Sequence, residues 1–286
     1  MELYLLRTDG GSRAAEKPEN RDSEAEAPQS GNQVTSPQWL GWKRCDFALP
    51  FARPSRHSYL PMTNSPQGVL FDLDGTLIDH FNVLYRCYEH TLGELGRPIP
   101  DFETVRRSVG GSMEVTMGHY VEEDQLQEAA GIWRRHFDKI FLDDVTVLPG
   151  ARELVEELSK RGYRQAVFTN KIGDQSRRII THLGLDSMIE FVLGANDTPH
   201  RKPQTAFSRE VLARFSVEDS RIVFIGDSPF DIQAAHCVSR PAYCVTTGTH
   251  TEAELREAAA DGVFPGMVEL ARGVFSIELE LTGETA

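Results

Sequence analysis

The run Gly68-Val69-Leu70-Phe71-Asp72-Leu73-Asp74-Gly75-Thr76 carries two acids at the end of the most apolar stretch of the chain. The residues before Asp72 are apolar or glycine, which reads as a parallel strand buried on both faces. Gly75 then signals a turn, so the two carboxylates stand at the carboxyl end of the strand. Open α/β sheets place their chemistry there. Taken alone, Asp-x-Asp-Gly is more often a turn than a site, so the rest of the chain has to decide.

Two more strand-like segments end in polar punctuation of the same kind. Tyr163-Arg164-Gln165-Ala166-Val167-Phe168 runs into Thr169-Asn170-Lys171, and Arg221-Ile222-Val223-Phe224-Ile225 runs into Gly226-Asp227-Ser228-Pro229-Phe230-Asp231. Between them Arg201-Lys202-Pro203 opens a helical pattern. From Thr146 to Gly150 onward, helices and strands alternate: apolar helix faces at Leu154, Val155, Leu158 and at Ile179, Ile180, Leu183 are stopped by Gly162 and Gly184, and strands follow at Phe191 to Leu193, Ile222 to Ile225 and Tyr243 to Thr246. This pattern predicts an α/β fold with a doubly wound parallel sheet. Between the first strand and Thr146 the reading is all-helical: Phe81, Leu84, Tyr85, Tyr88 and Leu92 keep helical spacing until Gly96 and Pro98, Asp101 suits a helix N-cap, Met113, Met117 and Tyr120 mark another face, and 125–141 a longer helix.

The ordered motifs Asp72-x-Asp74, Thr169-Asn170, Lys202-Pro203 and Gly226-Asp227-x-x-x-Asp231 resemble those of the haloacid dehalogenase-like superfamily, and Phe71-Asp72-Leu73-Asp74-Gly75-Thr76-Leu77 with Thr169-Asn170-Lys171 looks like its phosphoglycolate phosphatase group. The resemblance spans about Gly68 to Leu270. It implies a Rossmann-like catalytic core over 66–79 and 148–286, interrupted by an inserted helical cap over 80–147. It implies a Mg²⁺-dependent phosphatase of small phosphate monoesters, with 2-phosphoglycolate as the favoured substrate, that works through an aspartyl-phosphate, with Asp72 as nucleophile and Asp74 as acid/base whose backbone carbonyl also reaches the metal. Thr169 and the amide of Asn170 would bind phosphate, Lys202 would pair with nucleophile and phosphoryl group, and Asp72, Asp74, Asp227 and Asp231 would form the metal site. In the cap, Arg106, Arg107 and Gly110 resemble the loop that faces the substrate, and an arginine fork suits the carboxylate of 2-phosphoglycolate.

Phosphate monoesters are hard to hydrolyse because a nucleophile must approach a dianion and an alkoxide must leave. A metal ion, fixed cations and an in-line nucleophile meet those needs by positioning and charge stabilisation, and hard oxygen ligands suit Mg²⁺ better than zinc. Several positions keep a plainer reading beside this one. Thr169 and Asn170 suit a helix N-cap as well as a phosphate; Lys171 either adds charge to the site or is merely solvated; Arg106 and Arg107 either face the substrate or lie on a solvated helix face. His200-Arg201 ahead of Lys202, and Cys237-Val238-Ser239-Arg240-Pro241 where the family usually has Ala-Gly, depart from the pattern. A sugar phosphomutase, a phosphatase for pyrophosphate or nucleotides, and a catalytically silent binding module of the same fold are the alternatives. Retention of both Asp72 and Asp74 speaks against the last.

The chain has 286 residues, enough for a core with an insertion, and a formal charge of −13. That charge argues against a nucleic-acid or anionic-membrane surface and for a small phosphorylated metabolite held in a locally basic pocket. No stretch reaches the roughly 18 apolar residues of a membrane span. Cys45, Cys87, Cys237 and Cys244 lack Cys-x-x-Cys spacing and read as reduced thiols, which predicts a cytoplasmic setting. Residues 1–65 are expected to be a largely disordered leader: Asp9 to Ser36 is nearly devoid of apolar residues, although Trp39, Trp42, Phe47 and Phe51 follow, and a start at Met62 would still yield the whole catalytic region.

Overall fold

The computed structural model describes residues 67–109, 113–215 and 221–281. The leader with its aromatics, Met62 and Cys45, and the cap glycine Gly110, lie outside the described residues. In chain order the first half holds β1 (Gly68–Phe71), β2 (Ile78–Asp79), α1 (Phe81–Glu94), α2 (Phe102–Ser108), α3 (Met113–Met117), α4 (Leu126–Ile140) and β3 (Thr146–Val147). Then follow α5 (Ala151–Lys160), β4 (Arg164–Phe168), α6 (Gly173–His182), β5 (Phe191–Leu193), α7 (Thr205–Arg214), β6 (Ile222–Gly226), α8 (Pro229–His236), β7 (Ala242–Val245), α9 (Glu252–Glu257), β8 (Gly262–Phe264) and α10 (Met267–Leu270).

Six strands form one sheet in the order β5-β4-β1-β6-β7-β8, and every pairing is parallel. β1 lies between β4 and β6, with Phe71 in register with Val167 on one side and Ile225 on the other. Alternation along these strands sorts their side chains onto two apolar layers. Val69, Phe71, Val167, Val223 and Ile225 join Leu154, Val155 and Leu158 of α5 on one face. Leu70, Ala166, Phe168 and Phe224 join Phe207 and Val211 of α7 and Ile232 of α8 on the other. Burial on both faces explains why the strands read as continuous apolar runs rather than alternating ones. This is the doubly wound α/β architecture expected from the sequence. The edge strand β8 is not read as a strand there.

The helices α1 to α4 leave and re-enter the core through an antiparallel pair, β2 with β3, in which Ile78 opposes Val147. Asp101 caps α2 by accepting the Thr104 amide at 2.8 Å. α1 packs on α4 through aromatic contacts: Tyr88 meets Trp133 edge-on at 6.3 Å, and Trp133 stacks on Phe137 at 4.7 Å. Cys87 and Cys244 are free and buried, whereas Cys237 is only half-buried. Among the described residues no helix is long and apolar enough to cross a membrane.

Candidate active site

The order of strands reverses at β1, and the crevice at such a reversal opens at the strands' carboxyl ends. Because β4, β1 and β6 are neighbours, Thr169, Asp72 and Asp227, each the first residue past its strand, are carried to that crevice. Backbone bonds fix two of them: the Asp72 amide donates to Ile225 O at 2.8 Å and the Thr169 amide to Leu193 O at 3.0 Å.

Lys202 is the electrostatic hub. Its ammonium, almost wholly buried, lies 2.9 Å from Asp72 Oδ1 and 2.6 Å from Asp231 Oδ1. The Asn170 side chain holds it in place by accepting the Lys202 amide at 2.8 Å and donating to its carbonyl at 3.2 Å. The second oxygen of Asp231 accepts the Ser228 hydroxyl at 2.6 Å and amide at 3.1 Å, closing a capping box at the start of α8. Asp227 is buried beside it, with Oδ2 accepting the Thr249 amide at 2.9 Å and hydroxyl at 3.2 Å, and Oδ1 lying 3.4 Å from the Thr76 hydroxyl.

Carboxylate oxygens of Asp72, Asp227 and Asp231 come within 4.8 Å of one another. Among the described residues one ammonium pairs with these acids, so the cluster is short of positive charge. Burial pushes the Asp72 carboxyl up to about 6 even though Lys202 pulls it down. Asp227 is driven well above the carboxylate range by burial and by the charges of Asp231 and Asp72. Burial alone would lower Lys202, but Asp231 and Asp72 more than offset it and hold it protonated. A cluster of hard oxygen donors, two of its acids buried and Asp72 half-buried, with excess negative charge is a chemical fit for a divalent cation such as Mg²⁺.

Asp74 stands apart from this cluster, with its own cation. Lys171 Nζ is 3.1 and 3.0 Å from its two oxygens, and His80 Nδ1 is 3.5 Å from Oδ1. His80 is itself fully buried, with Nε2 2.8 Å from Phe141 O. Burial opposes ionisation of Asp74, but Lys171 and His80 outweigh it and hold the group well below the usual carboxylate range. Lys171 is thus an engaged residue of the site rather than a solvated one. Neither His80 nor Thr249 was legible as a site residue; Thr249 reaches Asp227 only because the loop after β7 folds back over β6.

Above these groups lies a cavity of about 440 Å³ lined by Asp72, Asp74, Thr169, Asn170 and Asp227 from the sheet and by residues of α1, α3 and α4 opposite. Arg106 and Arg107 do not line it. Arg106 Nη2 donates to the carbonyl oxygens of Thr247, at 3.4 Å, and Gly248, while Arg107 Nη2 pairs with Glu254 Oε1 at 2.7 Å.

Residues 69–240 match the family model for haloacid dehalogenase-like hydrolases. The chain belongs to this family. The hydrolase is 27% identical over 221 residues to the phosphoglycolate phosphatase of Nitrosococcus oceani, covering 73% of this chain and 96% of the relative. It is 29% identical to the phosphoglycolate phosphatase of Pseudomonas savastanoi pv. phaseolicola, covering 76% and 82% of the two chains. Its fold also matches a crystal structure of a predicted phosphoglycolate phosphatase from Haemophilus somnus, with a TM-score of 0.68 at 23% identity over 73% of this chain and 98% of that one.

Proposed function

We propose that this hydrolase is a Mg²⁺-dependent phosphatase that cleaves small phosphate monoesters through an aspartyl-phosphate on Asp72. The observation that carries the reading is the set of Asp72, Asp227 and Asp231, with Lys202 bridging Asp72 and Asp231, at a cavity lined by Asp72 and Asp227. A divalent cation held by those three acids would offset their excess charge and that of the phosphoryl oxygens. Asp72 forms the bond to phosphorus as the bond to the leaving oxygen breaks, and Lys202 stays beside it as a fixed positive charge. Thr169 and the Asn170 amide hold the phosphoryl oxygens. Asp74 gives its proton to the departing alkoxide, then takes one from the water that attacks phosphorus and breaks the bond to Asp72, releasing inorganic phosphate. Paired with Lys171, Asp74 rests as a carboxylate, the form the second half-reaction needs. An arriving dianion competes for Lys171 and adds negative charge beside Asp74, and both effects raise its affinity for the proton used first.

In this reading residues 80–147 act as a cap that closes the site, with a small metabolite as partner, and the free buried Cys87 and Cys244 support a cytoplasmic setting. The names of the relatives support 2-phosphoglycolate as the first monoester to assay. The engagement of Arg106 and Arg107 with core carbonyls and Glu254 does not.

The test is phosphate release from a panel of monoesters, with and without chelator, by the parent and by Asp72→Asn. Turnover that stops in chelator, returns with Mg²⁺, and falls by several orders of magnitude in the variant is expected. Full activity in excess chelator, or a variant within about tenfold of the parent, would defeat the assignment.

A further inference from the structure

The wall of the cavity facing the acids is made by Leu84, Tyr88, Val109, Met113, Trp133 and Phe137. Three of these are aromatic, and Trp133 lies stacked on Phe137 at 4.7 Å. The charged residues on the same side, Glu114 and Arg134, are paired with each other, so among the described residues that wall carries no uncommitted charge. Lys171, whose Nζ lies 4.9 Å from the centroid of the Phe137 ring, is committed to Asp74. Arg201, exposed at the rim, is the one lining cation without a carboxylate partner among the described residues. At about 440 Å³ the cavity falls in the range of roughly 300–1,000 Å³ that houses drug-sized ligands, more than a phosphate on a two-carbon acid requires.

We infer that the physiological substrate is a phosphate monoester whose leaving group is neutral and apolar, an aryl-alkyl or medium-chain alkyl alcohol packed against Trp133, Phe137 and Met113, rather than a carboxylate-bearing one. The inference rests on the phosphatase reading above and deepens it. A carboxylate placed against these apolar side chains would lose its water and would have to compete with Asp74 for Lys171 or reach out to Arg201, whereas each buried methylene gains by leaving water.

The experiment compares kcat/KM for benzyl phosphate, 2-phosphoglycolate and the n-alkyl phosphates from ethyl to hexyl, all esters of primary alcohols, so that leaving-group acidity varies little beside pocket fit. Benzyl phosphate is expected to exceed 2-phosphoglycolate by at least about tenfold, and the alkyl series to rise by up to about fourfold per methylene. Met113→Arg, which sets a cation in the wall, should invert the benzyl-to-phosphoglycolate order, while Met113→Leu should keep it. A flat alkyl series with 2-phosphoglycolate or a sugar phosphate preferred by the parent, and lost on Arg201→Ala, would overturn the inference and leave the phosphatase reading standing. Absence of turnover on every monoester would overturn both.

Discussion

Arg106 of α2 donates its guanidinium Nη2 to the backbone carbonyl of Gly248, 142 residues away in the loop after β7. The same loop supplies the Thr249 amide to Asp227 and the Thr247 hydroxyl to Gly75 O at 2.7 Å. The arginine therefore fastens the helical insertion to the segment that positions a carboxylate of the acid cluster.

Arg106→Ala should accordingly lower kcat/KM for every monoester by a similar factor, without singling out substrates that carry a carboxylate. Arg107→Ala breaks only an exposed pair with Glu254 and should change stability by less than about 1 kcal/mol. Steady-state kinetics on charged and neutral esters, with a thermal melt of each variant, checks both. A loss confined to 2-phosphoglycolate would show that one of these arginines meets substrate after all.

Lys202→Met removes the ammonium that Asp72 and Asp231 share. Breaking a buried pair from one side costs about 3–5 kcal/mol, because the acids are left uncompensated. Urea denaturation should record that loss near neutral pH. The deficit should shrink in Mg²⁺, which replaces part of the missing charge.

A side chain at position 248 would collide with the Asp227 carboxylate, since a Cβ there overlaps Asp227 Oδ2. Gly248→Ala should weaken Mg²⁺ binding by about 10–100-fold, the scale for displaced supports of a metal ligand, with the fold retained by circular dichroism. Gly93, in α1, has nothing within 4 Å of an added Cβ. Gly93→Ala should therefore stabilise the protein by up to about 1 kcal/mol through helix propensity.

The metal-free protein should bind Mg²⁺ more weakly as pH falls. Asp72, raised to about 6, takes up a proton as pH drops through that value, and a metal ion held by it would need it ionised. Affinity measured by calorimetry should be about tenfold lower at pH 5 than at pH 7, with proton release on binding at the acid end. The stability contributions have opposite signs. Ionised Asp72 costs stability above about pH 6, and that cost is relieved as pH falls toward its unfolded value of about 3.9. Asp74, depressed mainly by Lys171 against its burial, contributes stability above about pH 3.9 that is lost as pH falls further. A pH-independent Mg²⁺ affinity would show that Asp72 does not ligate the ion.

The sequence by itself determined that a parallel sheet exists and where the carboxyl ends of its strands fall. Strands such as β1 and β6 are buried on both faces, so they must be apolar throughout, and the change to Asp72 and Asp227 marks their carboxyl ends without reference to any distant residue. It also placed the helical stretch between β1 and β3, because i, i+3, i+4 spacing is a local property. Tertiary structure alone decided who neutralises whom. Lys171 closing on Asp74 across 97 residues, Thr249 reaching back to Asp227, and Arg106 turning from the cavity to Gly248 depend on crossovers and loop return. Such contacts leave no periodic trace along the chain. Charge pairing is set by distances of a few ångströms between segments far apart in sequence, whereas burial patterning repeats within each segment.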